Sequence, residues 1–216
     1  MNSKIKSFLV RLLIYILGLL ILALGVAFSI NSNLGVSPVS SLPYVISQIT
    51  GIEMGKCVII IYSLFVAVQI LVLRKEYKWF NLAQILFATI FGYFVTFAQF
   101  ILGDISIPTY AGQLTMLAIS IVLVAIGVTL YISANMLNMP MEGMVAAVNQ
   151  KILKKLSFAD VKVVMDTTVV TIGIILSLIF LGKLSGIREG TVICALLVGK
   201  IMKPIQKVIG PKIKKL

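Results

Sequence analysis

The chain has 216 residues, of which 60% are hydrophobic and only 12% carry a charge. A soluble domain is about 45–50% apolar and about 25% charged, so much of this apolar excess must face lipid. The net charge of +12, from 19 Lys and Arg against 7 Asp and Glu, lies in blocks between long apolar runs. Such blocks are typical of the cytoplasmic flanks of membrane helices. No basic-aromatic pattern of a nucleic-acid-binding module is present, so we expect no nucleic-acid partner.

The composition also excludes several kinds of chemistry. The sequence contains no His, and its two cysteines, Cys57 and Cys194, stand apart inside apolar segments. Zinc sites and disulfide frameworks need clustered ligands, and no pairing of a nucleophile with a base is recognisable. We therefore expect no metal, no cofactor and no enzymatic activity. The first apolar stretch exceeds the 7–15 residues of a signal-peptide core, which predicts an uncleaved span.

Stretches without charge predict an all-helical protein with about six membrane-spanning helices in a single transmembrane domain, residues 1–216. The predicted spans are Leu12–Ile30, Cys57–Leu73, Trp79–Gly103, Gln113–Asn135, Val163–Leu181 and Gly186–Met202. The last span includes Arg188 and Lys200, whose long side chains would have to reach outward from its ends.

The basic residues predict which side of the membrane each segment faces. With a cytoplasmic N-terminus, sixteen Lys and Arg lie inside and only Lys56, Lys183 and Arg188 lie outside. This bias follows the positive-inside rule and places both termini in the cytoplasm. The tail, residues 204–216, interleaves lysines with apolar residues and is expected to lie along the anionic cytoplasmic leaflet. A partner-binding helix is the alternative for this tail.

An offset of 102 residues aligns two parts of the chain. Residues with special backbone or polar roles coincide at this offset: Gly25 with Gly127, Asn33 with Asn135, Pro38 with Pro140 and Gln48 with Gln150. The predicted repeats, residues 8–103 and 110–203, each hold three spans, so the two halves would have opposite orientations. Chance similarity between apolar helices is the alternative. Inverted repeats are characteristic of many secondary transporters.

Each repeat has a short apolar segment after its first span, introduced by Asn, Gly and Pro. These segments, Ser37–Gln48 and Met139–Gln150, are too short to cross a hydrocarbon core of about 30 Å. They predict re-entrant or interfacial half-helices, because irregular backbone inside a membrane must be shielded by protein or line a wet cavity. If both crossed fully, the chain would have eight spans and the repeats would not be inverted.

Charged residues near these segments are the first candidates for a substrate or proton pathway. Glu142 lies at the start of the second half-helix, and Asp166 follows Lys162 by one helical turn. Carboxylates at membrane depth commonly mark such pathways. The structural alternative is that Lys162 and Asp166 neutralise each other and that Glu142 compensates the helix dipole.

Polar residues at the turns complete the predicted pathway, and capping or turn-forming roles are the alternative for each of them. They are Asn33, Ser37, Ser40, Asn135 and Asn138. The scattered Gln69, Gln84 and Gln99 are explained by hydrogen bonds between helices.

Five short motifs carry a resemblance to a known family. They are Asn33-Leu-Gly35-Val-Ser37-Pro38, Thr50-Gly51 followed by Gly55, Pro140-Met-Glu142-Gly143-Met144, Lys162-x-x-x-Asp166, and Gly186-Ile187 with Gly190-Thr191 and Gly199. Together they resemble the YczE/YyaS/YitT-type bacterial membrane proteins, in particular the YczE-like branch. The chain departs from that pattern at Ser40, where the branch has an acidic residue, and at Met141, where it has arginine. The resemblance implies a multi-pass protein of the bacterial plasma membrane and is compatible with transport, but it supplies no substrate.

These features favour a small secondary transporter or exporter of a small solute that works by alternating access. Glu142, with Asp166 as a second candidate, would couple solute movement to protons. The alternative is a non-transporting membrane scaffold or regulatory subunit of another complex. The expected partners are the lipid bilayer and an unidentified small solute. The mass of 23.5 kDa is small for a transporter and is compatible with a homodimer.

Overall fold

The computed structural model describes residues 3–103 and 105–214, and every regular element in that part of the chain is helical. The α-helices are α1 (Ser3–Asn31), α2 (Pro38–Thr50), α3 (Met54–Leu73), α4 (Ala83–Leu102), α5 (Tyr110–Ser133), α6 (Pro140–Lys151), α7 (Phe158–Leu181) and α8 (Glu189–Lys214). Two short 3₁₀ turns, Arg74–Glu76 and Trp79–Leu82, connect α3 to α4. Helices lie at all eight predicted positions, so the all-helical class is confirmed.

Five of the described helices are long and apolar enough to cross a membrane, namely those at Ile5–Asn31, Met54–Glu76, Trp79–Leu102, Tyr110–Ser133 and Phe158–Leu181. The helix α8 has 26 residues, but its lysines keep it out of this set. The helices α2 and α6 have 13 and 12 residues. At about 1.5 Å per residue they fall short of a hydrocarbon core of about 30 Å. The chain is therefore a multi-pass membrane protein that carries two short helices between its long ones.

The centre of the bundle is the crossing of α1 with α5. A Cβ added at Gly18 would lie 2.9 Å from the carbonyl oxygen of Gly127, and one added at Gly25 would lie 3.1 Å from that of Ser120. The Ser120 hydroxyl donates to the Gly25 carbonyl at 2.7 Å. Because higher numbers on α1 meet lower numbers on α5, the two helices run antiparallel.

A long helix lies beside each member of this central pair. The rings of Tyr15 on α1 and Phe87 on α4 are 4.6 Å apart, and Asn31 donates to the Gly103 carbonyl at 2.9 Å. The helix α8 packs along α5 through Leu117, Ile121 and Cys194. In each pair the two helices run parallel, so α4 ends at the end of the bundle where α5 begins.

The two short helices pack against the opposite half of the chain. On α6, Gly143 lies against the Gln69 side chain of α3, where an added Cβ would lie 2.6 Å from Oε1. On α2, Ser41 and Val45 lie 3.9 Å from the Cβ position of Gly173 on α7. Each short helix therefore joins the two halves of the bundle.

The remaining helix pairs differ from each other. A Cβ added at Gly55 on α3 would lie only 2.1 Å from the Gly92 carbonyl oxygen on α4, so these backbones are in direct contact. In contrast, α7 and α8 make almost no contact along their described residues. On α8, Gly199 has nothing within 4 Å of its Cβ position. The bundle is consequently open between α7 and α8.

The last helix differs from the predicted span, which was Gly186–Met202 followed by a separate tail. In the structure α8 begins at Glu189 and continues to Lys214 through Pro204 and Pro211. Its start is later because residues 182–188 form a loop that pairs with the chain after α1, where the Val36 amide donates to the Gly186 carbonyl at 2.9 Å. Ile213 is buried, and Gly210 approaches Ser133 at the end of α5. Residues 215 and 216 of the predicted tail lie outside the described part of the chain.

Candidate functional site

Each half of the chain makes the same turn before its short helix. Asn33 and Asn135 both adopt left-handed backbone angles, with φ of 56° and 52°. Asn tolerates this conformation better than most residues. Five residues further on, Pro38 and Pro140 occupy the first helical position of α2 and α6, where a missing N–H is harmless. The predicted equivalence of these two turns is thus visible in their backbone conformation.

The first turns of both short helices face a shared cavity of about 310 Å³. Its lining comes from α1 through α8 and is mainly apolar. The polar or charged residues of the lining are Ser37, Ser40, Tyr62, Tyr131, Glu142, Lys162 and Asp166. Five of the eight predicted pathway residues are therefore brought together here.

Glu142 is the acidic residue at the centre of this site. It lies in the first turn of α6, where backbone amides favour a negative charge. Tyr131 of α5 lines the same cavity. The second carboxylate oxygen, Oε2, is buried and has no hydrogen-bond partner among the described residues. A buried, unpaired carboxylate oxygen is costly, so it is typical of a group that binds a ligand or a proton.

Lys162 and Asp166 form an ion pair on α7, with 3.2 Å between Nζ and a carboxylate oxygen. They are one helical turn apart, as the sequence indicated, and both are partly buried. Both also act electrostatically on Glu142. Since the pair is internally neutral, Glu142 leaves the cavity with one uncompensated negative charge when all three groups are ionised.

The corresponding place in the first half is occupied by serines. The Ser37 hydroxyl donates to the Ser40 hydroxyl at 3.1 Å, and both side chains line the cavity. Ser40 lies 102 residues before Glu142, so it is the counterpart of that acid at the start of α2. The site therefore carries a carboxylate in one half and a pair of hydroxyls in the other.

Aromatic rings form part of the wall, and the sequence analysis did not identify them. Tyr62 on α3 and Phe91 on α4 are stacked, with centroids 5.9 Å apart and planes at 22°. Tyr131 contacts Tyr15 edge-on at 5.9 Å. Aromatic residues inside an apolar span carry no sequence signal that distinguishes a cavity-facing ring from a lipid-facing one. The 102-residue offset that aligns Ser40 with Glu142 could have identified the serine as its counterpart.

The three predicted asparagines lie outside the lining of this cavity. Asn33 follows the C-terminal end of α1, and its carbonyl accepts a hydrogen bond from Arg188 Nη1 at 2.9 Å. Asn135 and Asn138 are exposed in the turn between α5 and α6. These positions match the turn-forming alternative that the sequence left open.

Backbone and amide hydrogen bonds close the bundle on both sides of the site. Near the end of α1, the Gly190 amide donates to the Leu34 carbonyl at 2.8 Å. Near α6, Gln69 Nε2 donates to the Pro140 carbonyl and to Gln84 Oε1, both at 3.0 Å. The predicted hydrogen bond between helices is confirmed for Gln69 and Gln84. These bonds hold the turns that carry the half-helices in place around the cavity.

The groups in the cavity wall define the interactions that the site can make. Within residues 3–103 and 105–214, no group of His, Cys, Asp and Glu is arranged to hold a metal ion. The cavity offers one carboxylate, one ion pair, hydroxyls and aromatic faces. These groups can bind a charged or hydrogen-bonding solute and can exchange a proton at Glu142.

Fold and site together define a multi-pass helical membrane protein with two short helices that meet at an acidic internal cavity. The chain belongs to the family described as "Family of unknown function (DUF6198)", whose model matches residues 9–207. It is also 31% identical over 147 residues to the uncharacterized membrane protein YczE of Bacillus subtilis (strain 168), a match that covers 68% of this chain. The match covers 66% of that relative, just under two thirds of its length. The resemblance to YczE-like proteins is thereby confirmed. No solved structure matches the chain.

Proposed function

We propose that this protein is a small secondary transporter or exporter that moves a small solute by alternating access. The observation that carries the proposal is the internal cavity at the start of both short helices, with a buried and unpaired oxygen of Glu142 in its wall. Secondary transporters commonly bind substrates near the membrane midplane, where interrupted helices end. A purely structural acid would be expected to have its hydrogen bonds satisfied.

The reciprocal packing of the helices supports an inverted repeat with six spans. Gly18 meets Gly127, and Gly25 meets Ser120, across the antiparallel pair. The offset of 102 residues relates Gly18 to Ser120 and Gly25 to Gly127, so the two contacts are equivalent under it. The same offset relates the starts of α2 and α6 and the ends of α1 and α5. Two units related by a two-fold axis in the membrane plane would make such reciprocal contacts.

The charge distribution supports an orientation with both termini in the cytoplasm of a bacterium. Most of the lysines and arginines lie at the one end of the bundle where α1, α4 and α7 begin. In this orientation α2 approaches the site from outside and α6 approaches it from inside. The residues of α7 that line the cavity, from Phe158 to Asp166, lie in its cytoplasmic half.

Proton coupling in this proposal depends on Glu142. A proton and a cationic or hydrogen-bonding solute would both bind to the carboxylate of Glu142. Binding of such a solute would therefore compete with protonation of Glu142. The charged or titratable groups around Glu142 on the neighbouring helices are Tyr15, Tyr62, Tyr131, Lys162 and Asp166. None of them replaces it, because the two charged groups are already paired with each other.

Flux measurements in proteoliposomes test this function. A panel of labelled amines, amino acids, sugars and carboxylates would be offered under an imposed pH gradient. We expect at least one class to enter faster than in empty liposomes, and Glu142→Gln to abolish that flux while the protein stays folded. The matched control is Glu53→Gln, since Glu53 is an exposed acid paired with Lys56 at 3.2 Å on the surface.

The alternative function makes the opposite prediction. A scaffold or regulatory subunit would show no flux for any member of the panel and would copurify with a defined partner. Equal flux in wild type and in Glu142→Gln would show that the carboxylate has no coupling role.

A further inference from the structure

We propose that the cavity binds a monovalent organic cation with an apolar body, which enters from the lipid between α7 and α8. This inference names the substrate class of the proposed transporter. Transport of the cation rests on the proposed function, whereas binding of the cation can be measured by itself. It is carried by three independent features: the charge of the cavity, its aromatic wall and its opening.

The charge of the cavity favours a single positive charge. Lys162 and Asp166 neutralise each other, which leaves the carboxylate of Glu142 as the one unmatched charge in the lining. Glu142 lies in the first turn of α6, where the backbone amides interact favourably with a negative charge. An anion would face this charge without compensation, since the first-half counterpart supplies only the hydroxyls of Ser37 and Ser40.

The wall of the cavity favours an apolar cation over a strongly hydrated one. Tyr62, Phe91 and Tyr131 present aromatic rings to the space beside Glu142, while Leu22, Val26 and Val128 supply aliphatic surface. Aromatic rings attract desolvated cations. Among the described residues, no group of three or more His, Cys, Asp and Glu is arranged to hold a metal ion.

The opening between α7 and α8 offers a route from the membrane. Ala195 and Gly199 of α8 line the cavity and are exposed, and Phe158 and Lys162 of α7 face them from the other side. Because these two helices barely touch, no packed interface separates the cavity from the surrounding lipid at this point. Amphipathic cations accumulate in anionic leaflets, so a lateral opening would meet them at high local concentration.

Binding of benzyltrimethylammonium to the purified full-length protein in detergent is the decisive measurement. Benzyl alcohol and benzoate serve as the neutral and anionic probes of similar shape, and calorimetry gives each dissociation constant. We expect saturable binding of the cation and at least about tenfold weaker binding of the other two probes, as expected when one charge-assisted contact is lost. Equal binding of the three probes, or preferred binding of benzoate, would overturn the proposal without any variant.

Two variants locate the binding in this cavity. Glu142→Gln should weaken benzyltrimethylammonium binding at least about tenfold, whereas Glu53→Gln should leave it unchanged.

The outcomes separate this inference from the proposed function. Cation binding without flux in proteoliposomes would overturn transport and leave the binding site standing. Flux of sugars or carboxylates through a protein that does not bind the cation would overturn this inference alone.

Discussion

The pair α3 and α4 and the pair α7 and α8 pack in opposite ways. In the first pair, Gly55 and Gly92 bring two backbones into contact. In the second pair the helices are separated, and the space between them belongs to the cavity. The pair α3 and α4 is thus closed, whereas the pair α7 and α8 is open. This difference places the opening of the cavity beside α7 and α8.

The largest expected effect follows from filling the closed interface. Gly55→Leu should destabilise the protein by about 3 kcal/mol or prevent folding, because even a Cβ at this position overlaps the Gly92 carbonyl. The matched control is Gly199→Leu on α8, where open space surrounds the new side chain, and its effect should stay below about 1 kcal/mol. Thermal unfolding in detergent measures both. Similar losses in the two variants would show that α7 and α8 pack as closely as α3 and α4.

A smaller effect is expected from releasing one short helix. Gln69→Leu should cost about 1–3 kcal/mol, because it leaves the Pro140 carbonyl and Gln84 buried without their partner. In the other half, Ser41→Ala removes only a hydrogen bond from its hydroxyl to the Pro38 carbonyl within α2, and should cost less than about 1 kcal/mol. Unfolding midpoints of the two variants compare how firmly each short helix is held. If Ser41→Ala were the more damaging change, the stronger attachment would lie in the first half.

The smallest effect is expected at the exposed loop of the open half. Arg188→Gln removes the 2.9 Å hydrogen bond to the Asn33 carbonyl and an exposed ion pair with Glu189, so its stability cost should be about 0.5 kcal/mol. Amide exchange in residues 32–37 should nevertheless accelerate, since this bond holds that turn. Lys183→Gln, in the same loop, is the control and should leave exchange unchanged. Unaltered amide exchange in Arg188→Gln would show that the hydrogen bond from Arg188 to Asn33 does not hold this turn.

Much of the helix pattern was predictable because the bilayer imposes strong constraints on sequence. Long charge-free windows located the long helices, and the Asn and Pro of each turn located α2 and α6 close to their observed starts. The end of α8 was less predictable, since apolar residues at helical spacing among lysines suit either a surface segment or a continued helix. Its continuation depends on packing near Ser133, which no local pattern encodes.

The candidate site was predictable only in its charged members. Glu142, Lys162 and Asp166 stand out because charge is rare in apolar spans, and the structure places them together. The stacked Tyr62 and Phe91 and the opening beside Gly199 could not be inferred. Residues that face lipid and residues that face an apolar cavity have the same composition, and only the tertiary packing separates them.

The crossing of α1 and α5 has a consequence for how such a chain can arise. Each helix offers the other the same two positions, so two separate copies of a single half could make this contact if they inserted in opposite directions. The end of α4 lies where α5 begins, so a short connection there would join two such copies covalently. Joining them frees each copy to diverge, since a substitution no longer appears twice around the axis. Ser40 and Glu142, which are 102 residues apart and line one cavity, would then be such a divergence, with a hydroxyl at one position and a carboxylate at the other.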